Sequence, residues 1–252
     1  MFDRPELIRL IGKIIADKAA LPDKTIEIVV AGAADTAMLA TCAHVAATLR
    51  VDVLKRCRFT VLDRCETPLL VCAEFAVWHG LDFDARPGDL ILAAQPCAAD
   101  LIITHSIFRF IPHADQVALL GRIGSWLAPA GRLILSNRIL LDDDGAEAKG
   151  EIRKRTAANK AAEEALVKGV LQLSESAKTT LGRLKRSIAD AAGRPGEFRS
   201  LGEVGALIRQ SGLVEISLDC LAWEFAIGPG DLIRRRRVLA VLGRGMVNGL
   251  AR

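Results

Sequence analysis

The chain has no tyrosine, and aromatic residues make up only 4% of its 252 residues. Surfaces that bind single-stranded nucleic acid usually stack the bases on aromatic side chains. The net charge of +4 is also mild, whereas nucleic-acid-binding domains usually carry a strong, clustered positive excess. The composition therefore argues against a nucleic-acid partner.

Long apolar runs are absent as well. No run reaches the roughly 20 residues that a membrane-spanning helix requires. Residues 1–20 carry charges among apolar positions at helical spacing and lack the uninterrupted apolar centre of a signal peptide. We therefore expect an amphipathic N-terminal helix, no membrane partner and a cytoplasmic location.

Closely spaced cysteine pairs are also missing. The six cysteines stand at positions 42, 57, 65, 72, 97 and 220, and no pair has the Cys-x-x-Cys spacing of common zinc sites. The chain is not a short secreted one, and several of these cysteines stand among apolar residues. We therefore expect reduced, mostly buried thiols and no metal site.

Short apolar strands alternate with amphipathic helices in the first part of the chain. Strands are predicted at residues 26–30, 58–63, 81–91, 99–106 and 131–139, and helices at 36–50, 68–80 and 114–128. Strands separated by helices of this length predict a parallel sheet with crossover helices.

The pattern changes after the fifth predicted strand. Residues 142–199 contain no convincing strand, are rich in Ala, Lys, Arg and Glu, and predict a helical insertion. A helix (200–212), a long strand (213–228) and a last strand (234–245) that returns antiparallel complete the pattern. We predict one α/β domain over residues 1–252 with a Rossmann-like, seven-stranded mixed sheet. Its parts are an N-terminal helix (1–23), a cofactor-binding core (24–141), the insertion (142–199) and a C-terminal part that completes the sheet (200–252).

The first predicted strand, "IEIVV", runs into the small-residue segment "AGAADTA", residues 31–37, and then into a helix. This order is typical of the entrance to a nucleotide-cofactor site. The segment has one glycine, Gly32, where such loops usually have two or three. Gly32 can turn the backbone sharply, but alanines do not easily adopt positive φ angles. We therefore expect the loop to follow a different path from a glycine-rich loop.

The second predicted strand ends in Asp63, where dinucleotide-binding folds place an acid for the ribose hydroxyls. A carboxylate suits this task because it can accept hydrogen bonds from two adjacent hydroxyls. The alternative is that Asp63 caps the following helix, although Thr67 and Pro68 already supply a helix start. We favour ribose binding.

The most specific stretch is "ADLIITHSIFRFIPHADQVALLGRIGSWLAPAGRLIL", residues 99–135. Asp100 opens its strand, an amphipathic helix follows, and "LAPAG" enters the next strand. These segments, in this order, resemble the class I S-adenosylmethionine-dependent methyltransferases, and the resemblance covers residues 25–243 apart from the insertion. In that family the last turn is Pro-Gly-Gly-like, and here Ala130 replaces one glycine.

The resemblance is weakest at the first loop. In the family the first strand ends in an acid followed by Gly-x-Gly-x-Gly. Here Val30 takes the position of the acid, with Glu27 nearby in the strand, and Ala34 and Thr36 replace two of the glycines.

The resemblance implies S-adenosyl-L-methionine as the cofactor and methyl transfer as the activity. It places Asp89 at the adenine amino group with Leu90 against the ring, although a plain Pro-Gly-Asp turn explains the same residues. Asp35 either offers its carboxylate to the ammonium group of the cofactor or caps the following helix. The implied cofactor-binding residues are Ala31, Gly32, Ala33, Asp35, Asp63, Arg64, Asp89, Leu90, His105 and Ser106.

Methyl transfer from a sulfonium is a direct displacement, in which a general base helps only when the acceptor carries a proton. His105, at the end of the fourth predicted strand, is the candidate catalytic base. The alternative is that it only packs against the cofactor. We expect a small-molecule substrate, and the sequence does not choose the acceptor atom.

Basic residues outnumber acidic ones between residues 145 and 195. This excess indicates either a cover for an anionic substrate or a solvated helix surface. The run Arg234 to Arg237 opens the last strand and alternates faces. We expect it to protect an edge strand; an RNA-binding patch in an RNA methyltransferase is the alternative. The sequence does not decide whether the protein forms a homo-oligomer.

Two other functions compete with methyl transfer. A nicotinamide-dependent oxidoreductase would require Gly-x-Gly-x-x-Gly, where this chain has "GAADTA", and a chain without tyrosine has no Tyr-x-x-x-Lys pair. A catalytically silent methyltransferase fold that serves as a binding or regulatory protein is the stronger rival, because of the departures at Val30, Ala34 and Thr36.

Overall fold

The computed structural model describes residues 3–21, 23–139, 198–228 and 231–245. Within these ranges the chain forms seven strands and six α-helices. The strands are β1 (Ile26–Ala31), β2 (Cys57–Asp63), β3 (Asp82–Pro87), β4 (Ala99–His105), β5 (Leu127–Ile139), β6 (Leu213–Gly228) and β7 (Asp231–Arg244). The helices are α1 (Arg4–Ala19), α2 (Ala37–Leu49), α3 (Val51–Arg56), α4 (Glu66–His79), α5 (His113–Ser125) and α6 (Leu201–Gln210), with a short 3₁₀ helix at Phe108–Phe110.

All seven strands belong to one sheet with the order β3-β2-β1-β4-β5-β7-β6. Strands β1 to β5 pair in parallel, and β7 runs antiparallel to both β5 and β6. The predicted seven-stranded mixed sheet with an antiparallel last strand is therefore confirmed. The predicted insertion, residues 142–199, lies almost entirely outside the described residues, and the division of the chain into parts stays a prediction.

The position of β7 corrects one prediction. The run Arg234 to Arg237 does not protect an edge strand, because β7 lies between β5 and β6 and the edge strand on this side is β6. The sequence pattern shows that a strand is present but not which neighbours it has. That depends on the crossover of the chain between β5 and β6.

The sheet is covered on both faces. Helices α1 and α2 bury side chains such as Leu7 and Ile11 against Ile28 and Ile103 on one face. On the other face, α5 and α6 pack against the sheet with a second cluster that includes Trp126. Each large apolar side chain buried in this way stabilises the fold by about 1.5–3 kcal/mol. Burial on both faces explains why β4 reads as a continuous apolar run.

Helix α1 lies across the sheet, and the segments at its two ends contact the amino ends and the carboxyl ends of β4 and β5. Near its C-terminus, Lys18 Nζ donates to the carbonyl of Ala130 at 2.7 Å and lies 3.3 Å from Asp100 Oδ1. Lys24 Nζ lies 2.8 Å from the same oxygen. These contacts are at the amino ends of β4 and β5, so Asp100 binds the N-terminal segment. The other end of α1 brings Asp3 to the carboxyl ends of the same strands.

Gly131, near the start of β5, has no room for a side chain. A Cβ on Gly131 would lie 2.4 Å from the carbonyl oxygen of Ala99, which is backbone and cannot move aside. Gly131 is therefore required for the close approach of β4 and β5. The structure extends β5 back to Leu127, four residues before the predicted start.

Two further findings concern the described residues. Their helices include none with the length and apolar character needed to cross a membrane. All six cysteines are free; Cys42, Cys57 and Cys72 are buried, Cys97 and Cys220 are partly buried and Cys65 is exposed, so half of the thiols are buried where most were expected to be.

Candidate functional site

The carboxyl ends of β1, β2 and β4 meet at one edge of the sheet because these strands are parallel neighbours. The strand order reverses between β1 and β4, since the connection from β1 leads to β2 on one side and the chain later returns to β4 on the other. Ligands of open α/β sheets bind in the crevice at this reversal point. The residues at these strand ends form the candidate site.

Gly32 follows β1 and has a φ of +85°, in the region that favours glycine. Its amide donates to the carbonyl of Leu62 at 2.8 Å, which ties the loop to the end of β2. A Cβ at this position would lie 2.6 Å from Cδ1 of Ile107, the second residue after β4. Gly32 is therefore needed both for its conformation and for the approach of Ile107.

The other small residues of the loop have ordinary backbone conformations. Among the described non-glycine residues, only Asp23 and Ser106 have a positive φ. Ala34 and Thr36, which stand in place of two family glycines, are therefore not strained. The loop follows a path that requires only its first glycine.

Asp63 connects the two strand ends. Its Oδ2 accepts from the amide of Ala33 at 2.8 Å, and its Oδ1 accepts from the amide of Cys65 at 2.7 Å. The side chain is half-buried, and each carboxylate oxygen can accept a further hydrogen bond. Asp63 therefore orders both the loop after β1 and the turn into α4 while it keeps acceptors for a ligand.

The remaining predicted residues lie around this pair with different exposure. Asp35 is exposed and accepts from the amide of Ala37 at 2.7 Å, the helix-start contact that was one of its two interpretations. Asp89 accepts from the amide of Ile91 at 2.9 Å, so it forms a turn, and Leu90 is buried. Arg64 is exposed, and Ala31 is fully buried at the end of β1.

The position of the family acid is filled by an apolar core residue. Val30 is only 1% exposed and packs with α1 and α2. Glu27 does not replace the acid, because it lies near the amino end of β1, where its Oε1 is 3.8 Å from Arg58 Nη1. Among the described loop residues, Asp35 is the remaining carboxylate between β1 and α2.

A second, buried group of polar residues lies beside this edge, near the carboxyl ends of β4 and β5 and at the middle of β7. Asp3 Oδ2 accepts from Ser136 Oγ at 2.6 Å and lies 3.2 Å from His105 Nε2 and 3.1 Å from Arg237 Nε. Asp3 is 1% exposed. Burial alone would raise the pKa of Asp3, but the hydrogen bond with His105, the charge of Arg237 and the hydrogen bond from Ser136 outweigh it and lower the pKa to about 2. Asp3 is therefore ionised at neutral pH.

Arg237 extends this group to Ser106. Its Nη2 donates to Ser106 Oγ at 2.6 Å, and its Nε also lies 3.1 Å from Ser136 Oγ. Burial lowers the pKa of Arg237, and Asp3 opposes this effect. Ser106 has a φ of +62° and its amide donates to the carbonyl of Ser136 at 2.7 Å. A serine held in this backbone region costs roughly 1–3 kcal/mol.

Sequence reasoning found His105 and Ser106 but missed Asp3, Ser136 and Arg237. The signal for Arg237 was present, since alternate residues of the arginine run face the same side of a strand. Nothing local in the sequence indicated that Asp3 would reach β4. The contact depends on how α1 lies across the sheet.

No protein-family model matches the chain, and no curated protein matches its sequence. Solved structures do match. A Bacillus halodurans protein assigned as a methyltransferase aligns with a TM-score of 0.57 at 11% identity, over 92% of this chain and 97% of that one.

The chain has the fold of the class I methyltransferases.

Two enzymes that methylate small molecules share this fold with the chain. The mitomycin 7-O-methyltransferase aligns with a TM-score of 0.52 at 18% identity, over 94% of this chain and 54% of that one. An O-methyltransferase from neocarzinostatin biosynthesis, solved with S-adenosylmethionine and 2-hydroxy-5-methyl naphthoic acid, aligns with a TM-score of 0.51 at 14% identity, over 86% of this chain and 48% of that one. The chain thus spans about half the length of both enzymes.

Among the residues of the candidate site, Asp63 and Gly32 fit the ribose part of S-adenosylmethionine. Asp63 offers carboxylate acceptors beside a turn that Gly32 permits, and Leu90 is an apolar side chain that is 7% exposed. The loop after β1 leaves less room for the cofactor, because the side chain of Ile107 lies against Gly32. Isoleucine can change rotamer. The contact therefore reduces the space beside Gly32 but leaves the carboxylate oxygens of Asp63 available to a ligand. The assignment of individual residues to the cofactor stays a prediction.

Proposed function

We propose that the chain binds S-adenosyl-L-methionine at the carboxyl ends of β1, β2 and β4 and transfers its methyl group to a small molecule. The observation that carries this proposal is the hydrogen bond between Asp63 Oδ2 and the amide of Ala33, at 2.8 Å. It places a partly exposed carboxylate beside the loop after β1, at the reversal point of the strand order. This is the position where such folds bind ribose hydroxyls.

Three residues supply the binding groups in this proposal. Asp63 accepts hydrogen bonds from the ribose hydroxyls, Leu90 packs against the adenine, and Gly32 lets the backbone approach the ligand. When bound, the cofactor supplies an electrophilic methyl group on a sulfonium sulfur. The protein then has to align the acceptor with this methyl group and exclude water.

The acceptor side of the proposed site lies next to β4 and β5, where Ser106 and Arg237 are in contact. A small-molecule acceptor is supported by the two structural neighbours whose names describe small-molecule O-methylation. The free thiols support a reducing compartment such as the cytoplasm. An anionic acceptor would suit Arg237, which donates to Ser106.

A specific observation favours a second candidate function. Ile107 lies against Gly32, and Val30 replaces the acid of the first strand. Both departures are what a methyltransferase fold would show if it had stopped binding the cofactor and served as a binding or regulatory protein. The two candidates differ in cofactor affinity.

Calorimetric titration of the purified protein with S-adenosylmethionine, and separately with S-adenosylhomocysteine, distinguishes these candidates. Micromolar binding of either ligand supports the methyltransferase. No binding up to millimolar concentrations, in a protein shown by circular dichroism to be folded, contradicts it and favours the silent fold. An Ile107→Ala variant is the matched control. Binding that appears only in this variant would show that the Ile107 side chain blocks the proposed cofactor site.

A further inference from the structure

Asp3, His105 and Ser106 form a chain of hydrogen bonds at the carboxyl end of β4. His105 Nε2 lies 3.2 Å from Asp3 Oδ2, and His105 Nδ1 lies 3.4 Å from Ser106 Oγ. An ionised carboxylate can only accept, so Nε2 of a neutral His105 carries the proton. Nδ1 is then the atom with a free electron pair, and it faces Ser106. The contact with Asp3 thereby fixes the tautomer and the orientation of the ring.

The Ser106 hydroxyl is arranged to give its proton to this nitrogen. Arg237 Nη2 donates to Ser106 Oγ at 2.6 Å, so the oxygen accepts from the guanidinium and its own proton is directed elsewhere. The positive charge of Arg237 also stabilises negative charge on that oxygen. The strained φ of +62° at Ser106 is of the kind that concentrates at functional sites.

The chain of hydrogen bonds begins at the proposed cofactor edge and leads into the protein. Ser106 is half-buried and precedes Ile107, whose side chain contacts the Gly32 position. His105 has a side chain that is 13% exposed, and the Asp3 side chain is 1% exposed. A proton accepted at the edge by Ser106 would therefore be passed away from solvent, toward a buried carboxylate.

We infer that Asp3 is a positioning residue that holds His105 ready to accept a proton through Ser106, and that the methyl acceptor is a hydroxyl group. This inference rests on the proposed function. The acceptor hydroxyl loses its proton to Ser106 Oγ while the proton of Ser106 passes to His105 Nδ1. The electron pair of the broken O–H bond stays on the acceptor oxygen and makes it nucleophilic. His105 becomes a cation beside the carboxylate of Asp3, with Arg237 against Ser106.

The hydrogen-bond pattern can be tested by ¹⁵N nuclear magnetic resonance of the imidazole rings without any cofactor. The chain has only four histidines, so a His105→Gln variant assigns the resonances of His105. We expect a proton on Nε2 that exchanges slowly with water. It should be lost in Asp3→Ala and kept in Asp3→Asn, whose amide oxygen still accepts. The Nδ1 resonance should shift in Ser106→Ala.

A matched control comes from the same cluster. Ser136→Ala removes another donor to Asp3 but leaves the contact with His105, so both His105 resonances should keep their positions. A proton on Nδ1 in the wild-type protein would overturn the inference, and so would an Nδ1 resonance that is unchanged in Ser106→Ala. If Asp3→Ala does not fold, the Ser106→Ala and Asp3→Asn spectra still decide the outcome.

The chemical role is tested with radiolabelled S-adenosylmethionine and matched panels of phenols, thiols and amines. Transfer to a phenol should slow by about tenfold or more in kcat in Asp3→Asn, with KM within about twofold, because asparagine keeps the ring orientation but lacks the negative charge that stabilises the His105 cation formed in the step. Transfer to thiols or amines only, or an unchanged kcat in Asp3→Asn, would overturn the inference. Absence of cofactor binding in calorimetry would instead remove the proposed function, which is a separate observation.

Discussion

Arg237 Nε lies 3.1 Å from Asp3 Oδ2, and this ion pair joins the last strand of the sheet to the start of the first helix. The Asp3 side chain is 1% exposed and the Arg237 side chain 16% exposed. Ser136 and His105 bind the same carboxylate oxygen. The pair therefore joins β7 to the residue that precedes α1, and Arg237 also contacts Ser106.

Breaking this pair should destabilise the fold more than removing it entirely. Asp3→Ala leaves a buried guanidinium without its carboxylate, and we expect a loss of about 3 kcal/mol in the free energy of unfolding. Arg237→Met should cost a similar amount. The double variant should lose clearly less than the sum, because neither charge is then left unpaired. Urea denaturation of the four proteins measures the cycle, and additive losses would contradict the pairing.

The same carboxylate predicts how stability depends on pH. Asp3 has a folded-state pKa of about 2 against an ordinary value of 3.8. Its stabilisation is therefore fully present above its unfolded-state pKa and is lost as the pH falls toward its folded-state pKa. The total contribution is about 2 kcal/mol. Denaturation measured at several pH values from neutral down to about pH 3 should show a flatter dependence in Asp3→Asn. An unchanged slope would exclude Asp3 as a source of acid sensitivity.

Gly32→Ala should destabilise the protein for two reasons. The φ of +85° disfavours alanine, and the new Cβ would lie 2.6 Å from Ile107 Cδ1. Gly80→Ala is the matched control, since its φ is +61° and nothing lies within 4 Å of its Cβ. We expect about 1 kcal/mol for the control and about 2–3 kcal/mol for Gly32→Ala. Adding Ile107→Ala to Gly32→Ala should restore only the part of the lost stability that is due to the contact with Ile107, and not the part that is due to the backbone conformation. Equal losses for Gly32 and Gly80 in thermal denaturation would argue against the Ile107 contact.

Gly131→Ala tests the close approach at the start of β5. The Cβ would lie 2.4 Å from the backbone oxygen of Ala99, so β4 and β5 would have to move apart. We expect a loss of about 2–4 kcal/mol. Gly88→Ala, where nothing lies within 4 Å, should change stability by less than about 0.5 kcal/mol. Similar unfolding midpoints for the two variants would show that β4 and β5 are not tightly packed at Gly131.

Asp63→Ala should weaken binding of S-adenosylmethionine by about 1–3 kcal/mol, because two hydrogen bonds to the ribose would be lost. Asp63→Asn keeps one acceptor oxygen and should have an intermediate effect. Asp84, which pairs with Arg86 on β3, supplies a control carboxylate away from the edge. Calorimetry on folded variants measures the change. Unchanged affinity in Asp63→Ala would remove Asp63 from the site.

The order of the elements was predictable because it depends on local patterns. Apolar runs separated by helical periodicity determined β1, β2, β4 and β5, and the long last pair of strands was predicted as an antiparallel return. Short elements were not predictable in the same way. The helix α3 (Val51–Arg56) was missed because one extended residue, Arg50, separates it from α2.

The candidate cofactor edge was also largely predictable. Gly32 and Asp63 stand at the ends of neighbouring parallel strands, and such ends necessarily meet at one edge of a sheet. The sequence alone could not show that Asp63 would bind the amide of Ala33, or that Ile107 would lie against Gly32. Both contacts depend on the path of loops, where no periodic pattern exists.

The sequence by itself determined the α/β class, the antiparallel last strand and the positions of Gly32 and Asp63 at neighbouring strand ends, because alternation of apolar runs and strand-end residues are local properties. Only the tertiary structure decided that β7 lies inside the sheet and that Asp3, His105, Ser106 and Arg237 form one group. Asp3 and Ser136 are 133 residues apart in the chain. Contacts over such distances follow from strand order and from the placement of α1 on the sheet, which no local pattern encodes.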